Sequence, residues 1–250
     1  MAVAPSGALG VDRPARDSSG PDSLTAGEER AGAGRAKRRA KGRFSKEPRW
    51  LYPVVFVAAL SPWIYVVAAI ASDFFQGTRL LGSNPIKEAE HFTGQMTMRM
   101  LLLSLSISPA VKTFRRGWLI KYRRTFGLFA FFYVCTHLSI YAALDVELNW
   151  ADMVADVSKR LYITLGMAGF VLLIPLAVTS TKGWIRRLGS ARWHWLHRAV
   201  FGTVVLGMIH YYMAVKKDIT DPLLFTALFG FLFAWRILEA ALRRKAQRAR

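Results

Sequence analysis

The chain has a single cysteine, Cys135, so no intramolecular disulfide can form and no cysteine pair is available as a metal clamp. No glycine-rich phosphate loop opens a helix and no internal repeat is present, which excludes a soluble nucleotide-binding domain on this chain. Acidic residues are scarce, 16 against 35 Lys and Arg, and the apolar stretches hold almost none before Glu239. A transporter is expected to place carboxylates or broken helices around a site at mid-membrane, so that class is disfavoured.

What the sequence does have is long apolar runs: Leu51 to Ala71, Thr97 to Val111, Phe126 to Leu144, Leu161 to Thr179, Leu196 to Val215 and Leu223 to Ala240. A bilayer core about 30 Å thick is crossed by roughly 20 helical residues. Most of the runs supply that length, and His91 to Met96 would complete the short second one. The reading is an all-α polytopic membrane bundle of about six transmembrane helices.

A net charge of +19 would suit a nucleic-acid partner, but its distribution argues otherwise. Alternating sides at each span, one side collects Arg30 to Arg49, Lys112, Arg115, Arg116, Lys121, Arg123, Arg124, Lys182, Arg186, Arg187, Arg192, Arg198 and the tail from Arg243. The other collects Asp73, Glu88, Glu90, Asp145, Glu147, Asp152, Asp156, Asp218 and Asp221, with few cations. This is the positive-inside pattern of a six-span inner-membrane protein with both termini in the cytoplasm. No nucleic acid is expected; the partner of the basic faces is the anionic membrane lipid.

Residues 1–48 are rich in Ala, Gly, Ser, Pro and Arg and lack helical periodicity, which predicts a disordered basic cytoplasmic extension. Residues 49–242 form the membrane domain and 243–250 a basic cytoplasmic tail. Pro53, Pro62, Pro109 and Pro175 fall within or near spans and predict kinks, and aromatics such as Trp118, Trp150 and Trp184 gather at span ends as an interfacial belt.

Five histidines remain for chemistry. His137 lies roughly 17 Å into the third span and His210 roughly 21 Å into the fifth, counting helical rise from the basic side. Those spans run in the same direction, so the two imidazoles are expected level with each other in the outer half of the bilayer. Two imidazoles from parallel helices are what bis-histidine haem ligation needs. Gly207, one turn before His210, together with Gly202 and Gly127, would make room for a porphyrin. The bland alternative is that each histidine only bonds a carbonyl or hydroxyl of a neighbouring helix. His197 sits at the basic mouth of the fifth span, roughly 20 Å from His210 along the axis and about 140° round the helix. It could serve a second haem, or a quinone or flavin carbonyl together with Arg198. His194 reads as interfacial, and His91 as a cap for the second span or a contact for a partner.

The strings Gly82 to Ile86, His91-Phe-Thr-Gly94, Arg123 to Leu128, Arg160 to Gly166, Thr179-Ser-Thr181, Arg187-Leu-Gly189, Trp195-Leu-His-Arg198 and His210-Tyr211, with His137 in its aromatic span, resemble the MsrQ (YedZ) family. That family lies within the ferric-reductase-like transmembrane superfamily, and the likeness runs from about Trp50 to Leu238. The resemblance implies a b-type cytochrome with one or two haems b, whose iron ligands fall on His137, His197 and His210. It implies electron transfer from the quinone pool or a cytoplasmic flavin reductase, with FMN as a proposed cofactor, to MsrP. MsrP is a periplasmic molybdopterin enzyme that repairs methionine sulfoxide in oxidised proteins, so the sulfoxide chemistry is expected on the partner, with no catalytic residue here. Other ferric-reductase-like cytochromes act on metal or oxygen but usually carry a fused flavin and nicotinamide domain, which this chain lacks.

Overall fold

A computed structural model describes residues 47–215 and 218–248. The predicted extension falls almost wholly outside the described residues. Within them the chain is helical and contains no strand.

The first helix, α1 (Leu51–Gln76), carries Pro53 in its opening turn, where a missing N–H costs nothing, and Pro62 in its interior. Pro62 frees the carbonyl of Ala58, which accepts a hydrogen bond from Ser61 Oγ at 3.1 Å. α1 ends at Gly77, whose φ of +66° is the left-handed value a helix stop favours. Asp73 then ties down the following turn by accepting from Leu80 N at 2.8 Å and Leu81 N at 2.9 Å.

The second helix, α2 (Pro85–Phe114), begins well before the apolar run, because Asn84 caps it by accepting from Lys87 N and Pro85 occupies its first position. His91 is therefore nearly two turns inside the helix, and the cap assigned to it belongs to Asn84. Interior Pro109 frees the carbonyl of Leu105, which accepts from Arg236 on the last helix at 2.8 Å.

A 3₁₀ turn, Gly117–Leu119, leads into α3 (Ile120–Ile140), which widens into a π turn at Tyr141–Asp145. The loop after it contains an unforeseen short helix, α4 (Trp150–Lys159), capped by Asn149 through Ala151 N and Asp152 N. α5 (Leu161–Val178) follows, then short α6 (Lys182–Leu188) and α7 (Ser190–Leu196). The fifth apolar run is not one continuous helix from Leu196: the chain turns at His197 and Arg198, and α8 (Ala199–Ala214) starts afresh. The last helix is α9 (Thr220–Arg248).

Four segments are long and apolar enough to cross a membrane: α1, the Gly117–Asp145 stretch built on α3, α5 and α9. The other two expected spans are α2, long but carrying Arg99 near its middle, and α8, of 16 residues. Both pack inside the same bundle, α2 chiefly against α3 and α8 chiefly against α5. The outer faces of α1 and α9 are apolar and open, with Val57 60% and Phe231 65% exposed, and continue through Ile64, Leu224 and Leu238. A surface of that kind is too large for water and suits lipid.

Cross-helix bonds establish the directions. Glu47 meets Tyr122 at the start of α1 and α3, and Tyr133 Oη donates to Ala59 O at 2.8 Å farther along both, so these helices are parallel. α2 runs against α3, pairing Ser104 Oγ with Arg123 O at one end and Glu90 O with His137 at the other. α5 runs against α8, pairing Thr179 with His197 and Tyr162 with His210. The buried centre is filled by Tyr133, Leu105 and Val204.

Candidate functional site

The directions just given bring the end of α3, the end of α8 and the starts of α2 and α5 to one end of the bundle. There the rings of His137 and His210 lie with centroids 6.2 Å apart and planes at 83°. The expectation that these two imidazoles stand level therefore matches the geometry. His137 Nδ1 bonds the main-chain carbonyl of Glu90 at 2.9 Å, and His210 Nδ1 bonds that of Tyr162 at 2.6 Å. A carbonyl can only accept, so each Nδ1 carries the proton and each Nε2 is left with its lone pair.

Both rings line a cavity between α2, α3, α5 and α8 whose unfilled volume, open mouth included, is about 1270 Å³. Its walls are mostly apolar, with Met98, Leu101, Val134, Phe170 and Leu173 among them. Polar groups gather at the mouth, where Lys87 Nζ bridges Asp145 Oδ2 at 2.7 Å and Glu90 Oε2 at 3.2 Å, joining α2 to the π turn. Across the mouth Tyr141 Oη donates to Asp156 at 3.0 Å, and Arg160 pairs with the same carboxylate at 3.1 Å.

Glycine makes the room, though not at every position expected. A Cβ on Gly166 would fall 2.8 Å from His210 Nδ1, and one on Gly94 would fall 3.4 Å from His137 Cε1. Neither was singled out from the sequence as clearing space. Gly166 shares a helical face with Gly169, both lining the cavity, and that small-residue spacing was the available signal. Gly207 does line the cavity and lets Met98 Sδ approach, a Cβ there meeting it at 3.0 Å. Gly127 instead faces Ser104 and Gly202 faces Leu172, both away from the cavity.

His197 is at the opposite end of α8 and outside this cavity. Its Nε2 lies 3.1 Å from Thr179 Oγ1, and its ring stacks on Trp193 with centroids 4.0 Å apart. Trp193 is fastened in turn by Nε1 donating to Thr179 O at 2.9 Å. His194 is exposed beside Trp193, as an interfacial residue would be, and His91 is exposed at the cavity wall. Among the described residues no cluster of three or more His, Cys, Asp or Glu side chains forms a metal site of the ordinary kind.

The chain is a helical membrane bundle of the ferric-reductase-like class: the family described as ferric reductase like transmembrane component matches residues 93–208, which run from α2 into α8. The protein-methionine-sulfoxide reductase heme-binding subunit MsrQ of Caulobacter vibrioides is 42% identical over 215 residues, 86% of this chain and 99% of that protein. The subunits of the same name from Rhodospirillum rubrum and Xanthomonas oryzae are 45% and 38% identical, covering 78% of this chain and 91% and 90% of theirs. The chain belongs to the MsrQ family.

Proposed function

We propose that this chain is a b-type cytochrome, the haem-binding membrane subunit of a protein-methionine-sulfoxide reductase system, and that His137 and His210 would hold the iron of a haem between α3 and α8. The observation that carries the reading is the pair of Nδ1-to-carbonyl bonds. Histidines that ligate metals ordinarily spend their second nitrogen this way, which fixes ring orientation and keeps the other nitrogen basic. Metal–imidazole bonds of about 2 Å would place two rings sharing one metal with centroids roughly 6 Å apart, which supports the fit. The bland alternative accounts for each carbonyl bond singly. It gives no reason for two such rings at 6.2 Å with glycine beside each.

A haem supplies one-electron chemistry when bound, and the protein sets its potential through ligands, burial and outer hydrogen bonds. In this chain the carbonyls of Glu90 and Tyr162 orient the ligands, the apolar walls hold the dielectric low, and the Lys87–Asp145 bridge guards the mouth. His197 serves a second haem or receives electrons on the basic side. The charge pattern supports placing that side in the cytoplasm and the His137–His210 end toward the periplasm.

Electrons then pass from the quinone pool or a cytoplasmic flavin reductase, with FMN as a further cofactor of the path, across the inner membrane to the molybdopterin partner MsrP. Purified protein with its haem supply intact should be red. Replacing His137 or His210 by alanine should abolish the reduced-minus-oxidised haem signal of this site; an unchanged signal in both variants overturns the ligand assignment. Adding the molybdoenzyme and methionine sulfoxide should reoxidise the reduced haem, and failure of that step shifts the acceptor elsewhere.

A further inference from the structure

Nothing in the electron path uses helix α4, whose place in the chain is unusual. It begins four residues beyond the π turn that ends at Asp145, and Arg160 alone separates it from α5. Both neighbours, Gly117–Asp145 and Leu161–Val178, are long and apolar enough to cross a membrane. Each end of α4 is therefore held where a span leaves the bilayer.

At about 100° per residue, the ten residues of α4 fall into three sectors. Met153, Asp156 and Val157 share the first and are partly covered. Asp156 accepts from Tyr141 Oη at 3.0 Å and pairs with Arg160 Nε at 3.1 Å, which turns this sector to the bundle. The second holds Ala151, Asp152, Ala155, Ser158 and Lys159, small or polar, with both charged residues exposed. The third holds Trp150 and Val154, one turn apart, 72% and 68% exposed and on the side opposite Asp152 and Lys159.

A helix packed on a protein in water needs only a covered face and a polar one. An open apolar sector in addition is what a helix displays along the line where protein, lipid and water meet. Trp is also a side chain enriched at headgroup level. The adjoining spans continue the apolar surface, since Leu144 on the π turn and Leu161 at the start of α5 are exposed too, as is Leu148 between α3 and α4.

We propose that α4 lies in the plane of the membrane at the acidic end, bedded in the headgroup–acyl boundary by Trp150 and Val154, with the bilayer surface as its partner. The anchorage bears on the cavity, because Tyr141 and Arg160, which α4 holds through Asp156, both line its mouth. α4 is thus a lipid-anchored brace of that mouth.

Full-length protein in phospholipid nanodiscs, without a partner enzyme, is spin-labelled after Trp150→Cys, Asp152→Cys, Val154→Cys or Lys159→Cys in a Cys135→Ser background. Power saturation reads the collision of each label with oxygen, which concentrates in lipid, and with a water-soluble nickel chelate. The oxygen-to-nickel ratio should be about threefold or more higher at positions 150 and 154 than at 152 and 159. Because those labels replace the anchors themselves, Trp150→Phe is measured as well. Lipids brominated near the headgroup should quench the tryptophan fluorescence of the unaltered protein, and W150F should lose part of that quenching. Nickel access at 150 and 154 means a solvated face open to a soluble partner, and overturns the proposal. So does exclusion of both reagents there, which means cover by protein such as a second copy, and so does undiminished quenching in W150F. Any of these failures leaves the reading of His137 and His210 untouched, since no residue of α4 lines their cavity.

Discussion

The two ends of the bundle contain histidines of quite different standing. At the acidic end His137 and His210 each give one nitrogen to a main-chain carbonyl, line one cavity and have a glycine against the ring. At the basic end His197 is stacked on Trp193 with its Nε2 bonded to Thr179. One end brings two imidazoles to the wall of a single cavity. At the other, any ligand of His197 Nε2 must first displace a hydroxyl. Depth in the membrane and residue type do not separate these cases; the partner of the second nitrogen does.

The comparison breaks most sharply if the glycines of the two ends prove equivalent. Gly166→Val should reduce haem content tenfold or more, because even a Cβ would fall 2.8 Å from the His210 ring. Gly202→Ala, where the nearest contact is an ordinary 3.8 Å, should leave the Soret absorbance per protein unchanged. A smaller effect is expected from Thr179→Val. It removes a hydrogen bond of about 1 kcal/mol that competes for His197 Nε2, so ligand occupancy there should rise about fivefold at limiting haem. Haem titration of T179V against H197A measures it, and lowered occupancy in T179V would show that Thr179 assists a ligand at His197.

Lys87→Met removes the bridge from α2 to the π turn. With Lys87 half exposed, the loss of stability should stay within about 1 kcal/mol, read as a small drop in melting temperature of the haem-loaded protein.

The smallest effect concerns Glu47, outside the membrane segments, where bonds from Lys121 and Tyr122 hold its carboxyl below the usual range. A depressed folded value stabilises the attachment above the ordinary carboxylate range, and the benefit is lost as pH falls through the folded value. Proteolysis just before α1 should therefore speed up on acidification in the unaltered protein. In Glu47→Gln it should be fast and independent of pH.

Much of this was legible beforehand. The apolar runs announced the long helices, and the pairing of His137 with His210 followed from helical rise once α3 and α8 were read as co-directional. Three features were hidden. α2 begins at Pro85, twelve residues before its apolar run, because Asn84 caps a first turn that is polar in character. α4 is short and capped by Asn149, with too little apolar length to stand out from a loop. The break at His197 and Arg198 interrupts a run that hydropathy shows as continuous, since hydropathy registers side chains and is blind to backbone direction.

By itself, the sequence decided that the chain is a helical membrane protein with its basic residues collected at one end, because solvation of side chains depends on what they are and on their order. It also placed two imidazoles at one depth, because helical rise is a constant. Only the tertiary structure decided which main-chain carbonyls meet those imidazoles, which glycines face them, and that Arg236 of the last helix reaches the carbonyl Pro109 frees on α2. Every residue has a carbonyl and every glycine lacks a side chain. The identity of the useful ones depends on how helices distant in sequence are packed together.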